Sequence, residues 1–181
     1  MDFTEYTRAI KKGDRLVFRE FVEMSFGRVF GLAFKMTADK YISEDIVQET
    51  FIKVWEKRSL IREDGSLISW TLRIATNLCL DYLRKQKRNK QSSSSEYTRD
   101  LISAADSDKE LRDEEAAALL NKLTAMLSPR QRMVFTLSVI DELSADEISL
   151  ISGLSKERIK SNLYHARQEV RKNWEKLYAD E

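Results

Sequence analysis

The sequence predicts an all-α fold of two small helical domains joined by a flexible linker, and three observations carry that expectation. The 181 residues include five glycines and one proline, where an average chain has about one such residue in eight. All-β architectures need frequent Gly and Pro turns, so this scarcity argues against them. Hydrophobic residues make up 42% and charged residues 34%, a mixture that suits amphipathic helices packed on one another and is too apolar for overall disorder. Apolar residues also recur at three- and four-residue spacing along most of the chain.

The elements run in order from the N-terminus. A short first helix places Phe3, Tyr6 and Ile10 on one side; Gly13 ends it and Asp14 caps the next. Residues 15 to 36 carry Leu16, Phe18, Phe21, Val22, Val29, Phe30, Ala33 and Met36 at roughly helical spacing. Ser43 is the expected N-cap of a helix to about Lys57, with Ile46, Val47, Phe51, Val54 and Trp55 as its apolar face. Asp45, Gln48, Glu49, Lys53 and Glu56 occupy its other face. The stretch 59–66 reads as a loop, and Ser66 caps a long helix to about Lys90. Its expected core face is Leu67, Trp70, Ile74, Leu78 and Leu83, flanked by Ala75, Cys79 and Tyr82. The serine run at 91–95 opens a polar linker to about residue 110, which divides the chain into domains at 1–90 and 111–181.

The second part is punctuated more sharply. A helix carrying Leu111, Leu119, Leu120, Leu123 and Leu127 is followed by Ser128-Pro129-Arg130-Gln131. Ser at the N-cap, Pro at N1 and Gln at N3 make a capping box. The helix it starts holds Val134, Phe135, Leu137 and Val139. Ser144 and Glu147 make a second box, for a short helix that stops at Ser152-Gly153-Leu154. Ser155 caps the last helix, to about Leu177.

Charge is unevenly distributed behind a formal net charge of +1. Arg84, Lys85, Lys87, Arg88 and Lys90 form one basic run, and Lys156, Arg158, Lys160, Arg167, Arg171 and Lys172 another. Acid collects between them, at residues 106–115 and 141–147. Two basic helices separated by acid can engage phosphates at two places. Arg73, Asn77, Asp81, Arg84 and Arg88 fall on one stripe of the long helix, a plausible nucleic-acid face. The interval 145–163 fits a helix-turn-helix. Ser149 is small where helices cross, Gly153 serves the turn, and Leu154 and Ile159 are spaced to plug the space between the helices. The second helix would lie in the major groove with Arg158, Lys160, Ser161, Asn162, His165 and Arg167 outward.

Several classes are excluded. One Cys, Cys79, allows no internal disulfide, and with the one His it leaves no zinc cluster. There is no Gly-rich phosphate loop and no nucleophile elbow, so no enzyme activity and no cofactor are expected. No apolar run approaches the roughly 18 residues of a membrane span. The N-terminal segment has no apolar signal core, so the expected location is cytoplasmic. An autonomous helix-turn-helix regulator needs a dimer to read two half-sites; no sustained coiled-coil seam supplies one, and that reading leaves the motifs at 41–88 unexplained.

Those motifs, YISEDIVQETFIKVWEK (41–57) and SWTLRIATNLCLDYLRKQKR (69–88), stand ahead of Leu127-Ser128-Pro129-Arg130-Gln131-Arg132 and the 144–167 helix-turn-helix. In that order they resemble the extracytoplasmic-function (ECF) class of sigma-70-type factors. The likeness covers roughly residues 10–90 and 110–175. It implies a subunit that binds core RNA polymerase and gives it promoter specificity. By resemblance, Asp45, Gln48, Glu49 and Lys53 would dock on the polymerase β′ coiled coil. The 59–66 loop, with Arg62 and Ser66, would capture a base flipped from the −10 element, bordered by Asn77. Arg73, Asp81, Arg84 and Arg88 would line the separated strand. Arg158, Lys160, Ser161, Asn162, His165 and Arg167 would face the −35 duplex, and this domain would rest on the β flap. The resemblance also implies a monomer when free and an anti-sigma regulator, membrane-anchored in many members. It implies no further domain after the last helix. His165 and Asn162 replace residues that are basic in much of the family, and Ser152 a hydrophobic one.

Overall fold

The computed structural model describes residues 3–62, 66–92, 108–177 and 179, and among them the regular structure is helical throughout. The order is α1 (Phe3–Lys11), α2 (Arg15–Thr37), α3 (Lys40–Glu56), a 3-10 turn (Arg58–Leu60), α4 (Leu67–Ser92), α5 (Asp108–Thr124), α6 (Pro129–Phe135), a π turn (Thr136–Ile140), α7 (Ala145–Ser152) and α8 (Lys156–Leu177). The all-α expectation is met. Most of the expected linker lies outside the described residues; α4 runs to Ser92 and α5 starts at Asp108.

Local signals explain most boundaries. Asp14 caps α2, its Oδ1 accepting from the amides of Leu16 and Val17 (3.0 and 3.1 Å). The cap of α3 is not Ser43. It is Asp39, whose Oδ1 accepts from the Ile42 amide at 3.0 Å. Ser43 is instead buried one turn inside, donating to Asp39 O at 2.6 Å and lying 2.9 Å from Thr37 Oγ1. The helix gains its extra turn because Ala38, at φ 54°, reverses the chain straight after α2 and delivers Asp39 in extended geometry. Ser66 caps α4, accepting from the Ser69 amide at 3.2 Å.

The buried face of α4 differs from the expected one. Leu67, Thr71, Leu72, Ala75, Thr76, Cys79, Leu80 and Leu83 are buried, while Trp70, Ile74 and Leu78 are only half-buried. The face is displaced because α4 is packed on two sides, by α2 and α3 and by α6 and α7. Two flanking layers make small residues such as Thr71 and Thr76 core positions, which a hydropathy stripe does not register.

Both predicted capping boxes of the second part form, at Ser128/Gln131 and Ser144/Glu147. Between them the chain does something the sequence did not announce. The helix widens into a π turn over Thr136–Ile140, and the Asp141 amide reaches back to Thr136 O at 3.0 Å. Of the apolar residues on this stretch, Val134, Phe135 and Leu137 are buried and Val139 is exposed.

One hydrophobic cluster joins the two halves. It unites Val29, Met36, Val47, Phe51 and Leu72 with Met133, Leu137, Ile148, Ile151, Leu154 and Ile159. A smaller cluster of Leu127, Phe135 and Ala166 holds α5, α6 and α8 together. Burying a large apolar side chain contributes roughly 1.5–3 kcal/mol, so the shared cluster is a considerable part of what stabilises α6 and α7.

Candidate polymerase and nucleic-acid interfaces

α3 offers the first surface. Ile46, Val47, Thr50, Phe51 and Val54 are buried, anchored by Phe51 edge-on to Phe21 at 6.3 Å and Trp55 against Phe18 at 5.0 Å. That fixes Asp45, Gln48 and Glu49 outward, with Lys53 half-buried beside them. Lys53 Nζ pairs with Glu49 Oε1 at 2.7 Å, and this hydrogen bond pushes the ammonium pKa up. Ile52, which the polar pattern of this face omits, is 53% exposed on it. It stands seven residues after Asp45, and that heptad spacing is the signal that makes it readable.

The loop after α3 is tethered at both ends. Arg58 stacks over the Trp55 ring at 4.4 Å and donates to Trp55 O at 2.8 Å. Ile61 is buried, while Arg62 and Ser66 are exposed. Residues 63–65 lie outside the described residues.

On α4 the predicted stripe forms. Arg73, Asn77, Asp81, Arg84 and Arg88 are all exposed. Asp81 accepts from Arg84 Nη1 at 2.8 Å, an i,i+3 pair that orients one guanidinium along the helix. Arg73 has a neighbour from the second half: its Nη2 lies 2.9 Å from where a β-carbon on Gly153 would stand.

Gly153 is the turn of the helix-turn-helix, at φ 71°, and its amide bonds to Ser149 O at 2.8 Å. Ser149 Oγ donates to Leu154 O at 2.7 Å, so the small residue also ties the turn down. Ser152, unusual for its position, is fully used: its hydroxyl donates to Ile148 O at 2.6 Å and accepts from the Leu154 amide at 3.2 Å. Leu154 and Ile159 are buried between the helices as expected. Lys156 of α8 pairs with Asp146 of α7 at 2.7 Å. Glu147 sits below its ordinary pKa of 4.5, held there first by the Ser144 amide, then by the Ser144 hydroxyl, with Arg28 of α2 adding its charge.

Along α8, Arg158, Lys160, Ser161, His165 and Arg167 are exposed. Asn162 is half-buried and turned back, its Nδ2 donating to Arg158 O at 2.7 Å, which occupies one half of its amide. Tyr164, outside the expected set, is 62% exposed and meets the His165 ring edge-on at 5.5 Å. Its place between Leu163 and His165 carries no periodic signal.

The chain thus presents an acidic-to-apolar helix face, a basic helical stripe and a helix-turn-helix. Among the described residues no cluster of His, Cys, Asp and Glu could hold a metal ion, and no helix is long and apolar enough to cross a membrane. A helical bundle followed by a helix-turn-helix is the layout that comparison with known proteins also finds. Residues 21–89 match the model of sigma-70 region 2, and residues 117–170 that of sigma-70 region 4. The chain belongs to the sigma-70 family of RNA polymerase sigma factors, in its ECF class. It is 27% identical over 173 residues to the ECF RNA polymerase sigma factor SigW of Bacillus subtilis, covering 91% of this chain and 92% of that one. It is 32% identical to SigE of Mycolicibacterium smegmatis, over 84% of this chain and 59% of the other. Two solved structures share the fold. One is CnrH in complex with the cytosolic domain of CnrY (TM-score 0.69, 19% identity, 99% of each chain). The other is the sigma factor RpoE with the anti-sigma factor NepR from Bartonella quintana (TM-score 0.62, 22% identity, 87% of this chain and 96% of that one).

Proposed function

We propose that this sigma factor divides its work between its two halves. Residues 1–90 bind core polymerase and the opened −10 element; residues 111–181 read the −35 duplex; residues 91–110 connect them. The α3 face of Asp45, Gln48, Glu49 and Lys53 docks on the β′ coiled coil. Arg62, Ser66, Asn77 and the α4 stripe of Arg73, Asp81, Arg84 and Arg88 hold the separated strand. Arg158, Lys160, Ser161, Asn162, His165 and Arg167 face the −35 duplex, and this half rests on the β flap.

The observation that carries the reading is the exposed alignment of an amide and three guanidinium groups on α4. Opening a duplex costs roughly 1.4 kcal/mol of stacking per step. Holding an unstacked base and neutralising phosphates offsets part of that cost. The −35 half needs no melting, and exposed Lys and Arg reach guanine acceptors directly. The factor carries no reaction of its own; it is monomeric when free, acts in the cytoplasm, and is held in check by an anti-sigma protein, membrane-anchored or not. The last point is supported by the anti-sigma factor present in the RpoE structure.

The test is run-off transcription with bacterial core polymerase and a library of promoter fragments. Transcripts that depend on this protein and share an upstream motif are expected. Intact core binding with no transcript from any fragment would remove the DNA assignments. In the same system Lys160→Ala is expected to weaken −35 duplex binding by about 1–3 kcal/mol if Lys160 reads a base, and by less if it meets phosphate.

A further inference from the structure

Arg132 carries a full charge into the core with few partners. It is 6% exposed, and its Nη1 donates to Asn121 Oδ1 at 2.9 Å. Its Nε and Nη2 find no partner among the described residues, and neither do the hydroxyls of Thr76 and Thr136, both fully buried. These groups belong to one region. Thr136 follows Arg132 by one turn, where α6 passes into the π turn, so the two share a helix face. α6 packs on α4, and the α4 groups that act on Arg132 are Tyr82 and Cys79. Thr76 stands three residues before Cys79, on the same side of α4.

The chemistry of the donors says what fits among them. A guanidinium only donates, and both hydroxyls can donate. The hydroxyls do not bond to the guanidinium, because none of these atoms has a partner; a shared acceptor, not a mutual bond, satisfies them. The neighbours supply no negative charge. Tyr82 is a phenol, Asn121 is an amide, and burial pushes the Cys79 thiol up to about 12, so it is neutral. Water would satisfy the hydrogen bonds and leave the charge uncompensated, whereas an anion satisfies both needs. Burial on every side selects a small ion over phosphate or an organic acid. The π turn that begins at Thr136 fits this reading, since such widenings are frequent at functional sites.

We propose that one small monovalent anion, chloride under ordinary conditions, is bound between α4 and α6 by Arg132 Nε and Nη2 together with the hydroxyls of Thr76 and Thr136. The ion supplies the counter-charge for Arg132 and draws donors from both helices. The site stands independently of the polymerase and DNA assignments.

Bromide is the probe, because it replaces chloride and scatters anomalously. Urea unfolding of the full chain is followed by circular dichroism while sodium bromide replaces sodium gluconate, an anion too bulky for the site, at constant ionic strength so that screening is unchanged. An ion that binds only the folded chain multiplies the folding constant by one plus its concentration over Kd. The wild type is expected to show a saturable gain, about tenfold at ten times Kd. Arg132→Met is expected to be the more stable protein in gluconate and to show no such gain; it also reads the general effect of each salt. Thr136→Val keeps the side-chain shape, removes one donor, and is expected to raise the Kd for bromide about tenfold. Crystals of the free chain soaked in bromide are expected to show an anomalous peak at hydrogen-bonding distance from Arg132 Nε and Nη2. No saturable gain in the wild type, an equal gain in Arg132→Met, or a bromide-soaked crystal with only water or no anomalous peak beside Arg132 would each overturn the site.

Discussion

At the scale of single residues, Arg132 stands out. Burial brings its guanidinium pKa down to about 10, so it remains charged at neutral pH while two of its nitrogens find no partner among the described residues. Arg132→Met keeps the length, removes the buried charge and gives up one hydrogen bond to Asn121. We expect the urea midpoint to rise, with about 1–3 kcal/mol of added stability; a fall would show that the Asn121 bond outweighs the desolvation. Gly153 gives the opposite case. Alanine at φ 71° is strained by about 1–2 kcal/mol, whereas the Arg73 end it would approach is flexible and can move aside. Gly153→Ala is therefore expected to lower stability by that backbone amount. A change near zero would mean that the turn can relax. Cys79 needs no functional account: it is fully buried, and burial pushes its thiol up to about 12, where it is unreactive.

At the scale of elements, α3 and α7 show how far local chemistry decides function. On α3, Ile52 is an apolar side chain set among Asp45, Gln48, Glu49 and Lys53, an arrangement typical of an interface centre with a polar rim. Ile52→Glu is expected to weaken core polymerase binding at least as much as Gln48→Ala, with helicity unchanged, as measured by titration with core polymerase and circular dichroism. If Gln48→Ala costs more, the polar rim and not the apolar centre carries the docking. On α7, the lowered pKa of Glu147 gives its capping box a pH dependence. A carboxylate whose folded pKa is depressed stabilises above its ordinary pKa, and that contribution is lost as pH falls through the folded value. The cap is thus fully present at neutral pH and fades only in acid.

At the scale of the whole molecule, legibility tracks sequence distance. Caps, the helix-turn-helix and the exposed stripes are readable, because each is decided by residues within about two turns of one another. Asp39 loses to Ser43 in the sequence, because a serine followed by two acids gives a stronger local cap signal than an aspartate after an αL turn. The α4 core face is misjudged because its second covering layer comes from residues more than forty positions away. The shared core between the halves is not legible at all. Its clearest tie, Lys35 with Asp141, spans 106 residues, and no periodicity relates the two. The docking and DNA roles of individual side chains come from resemblance, and the structure adds which of them are already engaged: Lys53 with Glu49, Arg84 with Asp81, and Asn162 with its own helix.

The π turn at Thr136–Ile140 carries one more residue than an α-helical path needs to join the same two points. It is therefore a place where chain length can change without relocating α7 and α8. Deleting Val139, an exposed member of that turn, should let the helix close into regular α geometry and leave Asp141, the Ser144 cap and α8 where they are. Run-off transcription by the shortened factor is expected to persist, whereas the loss of one residue inside α7 would rotate its buried Ile148 and Ile151 out of register and abolish it. This part of the chain is thus expected to tolerate shortening, beside a helix pair expected to tolerate none.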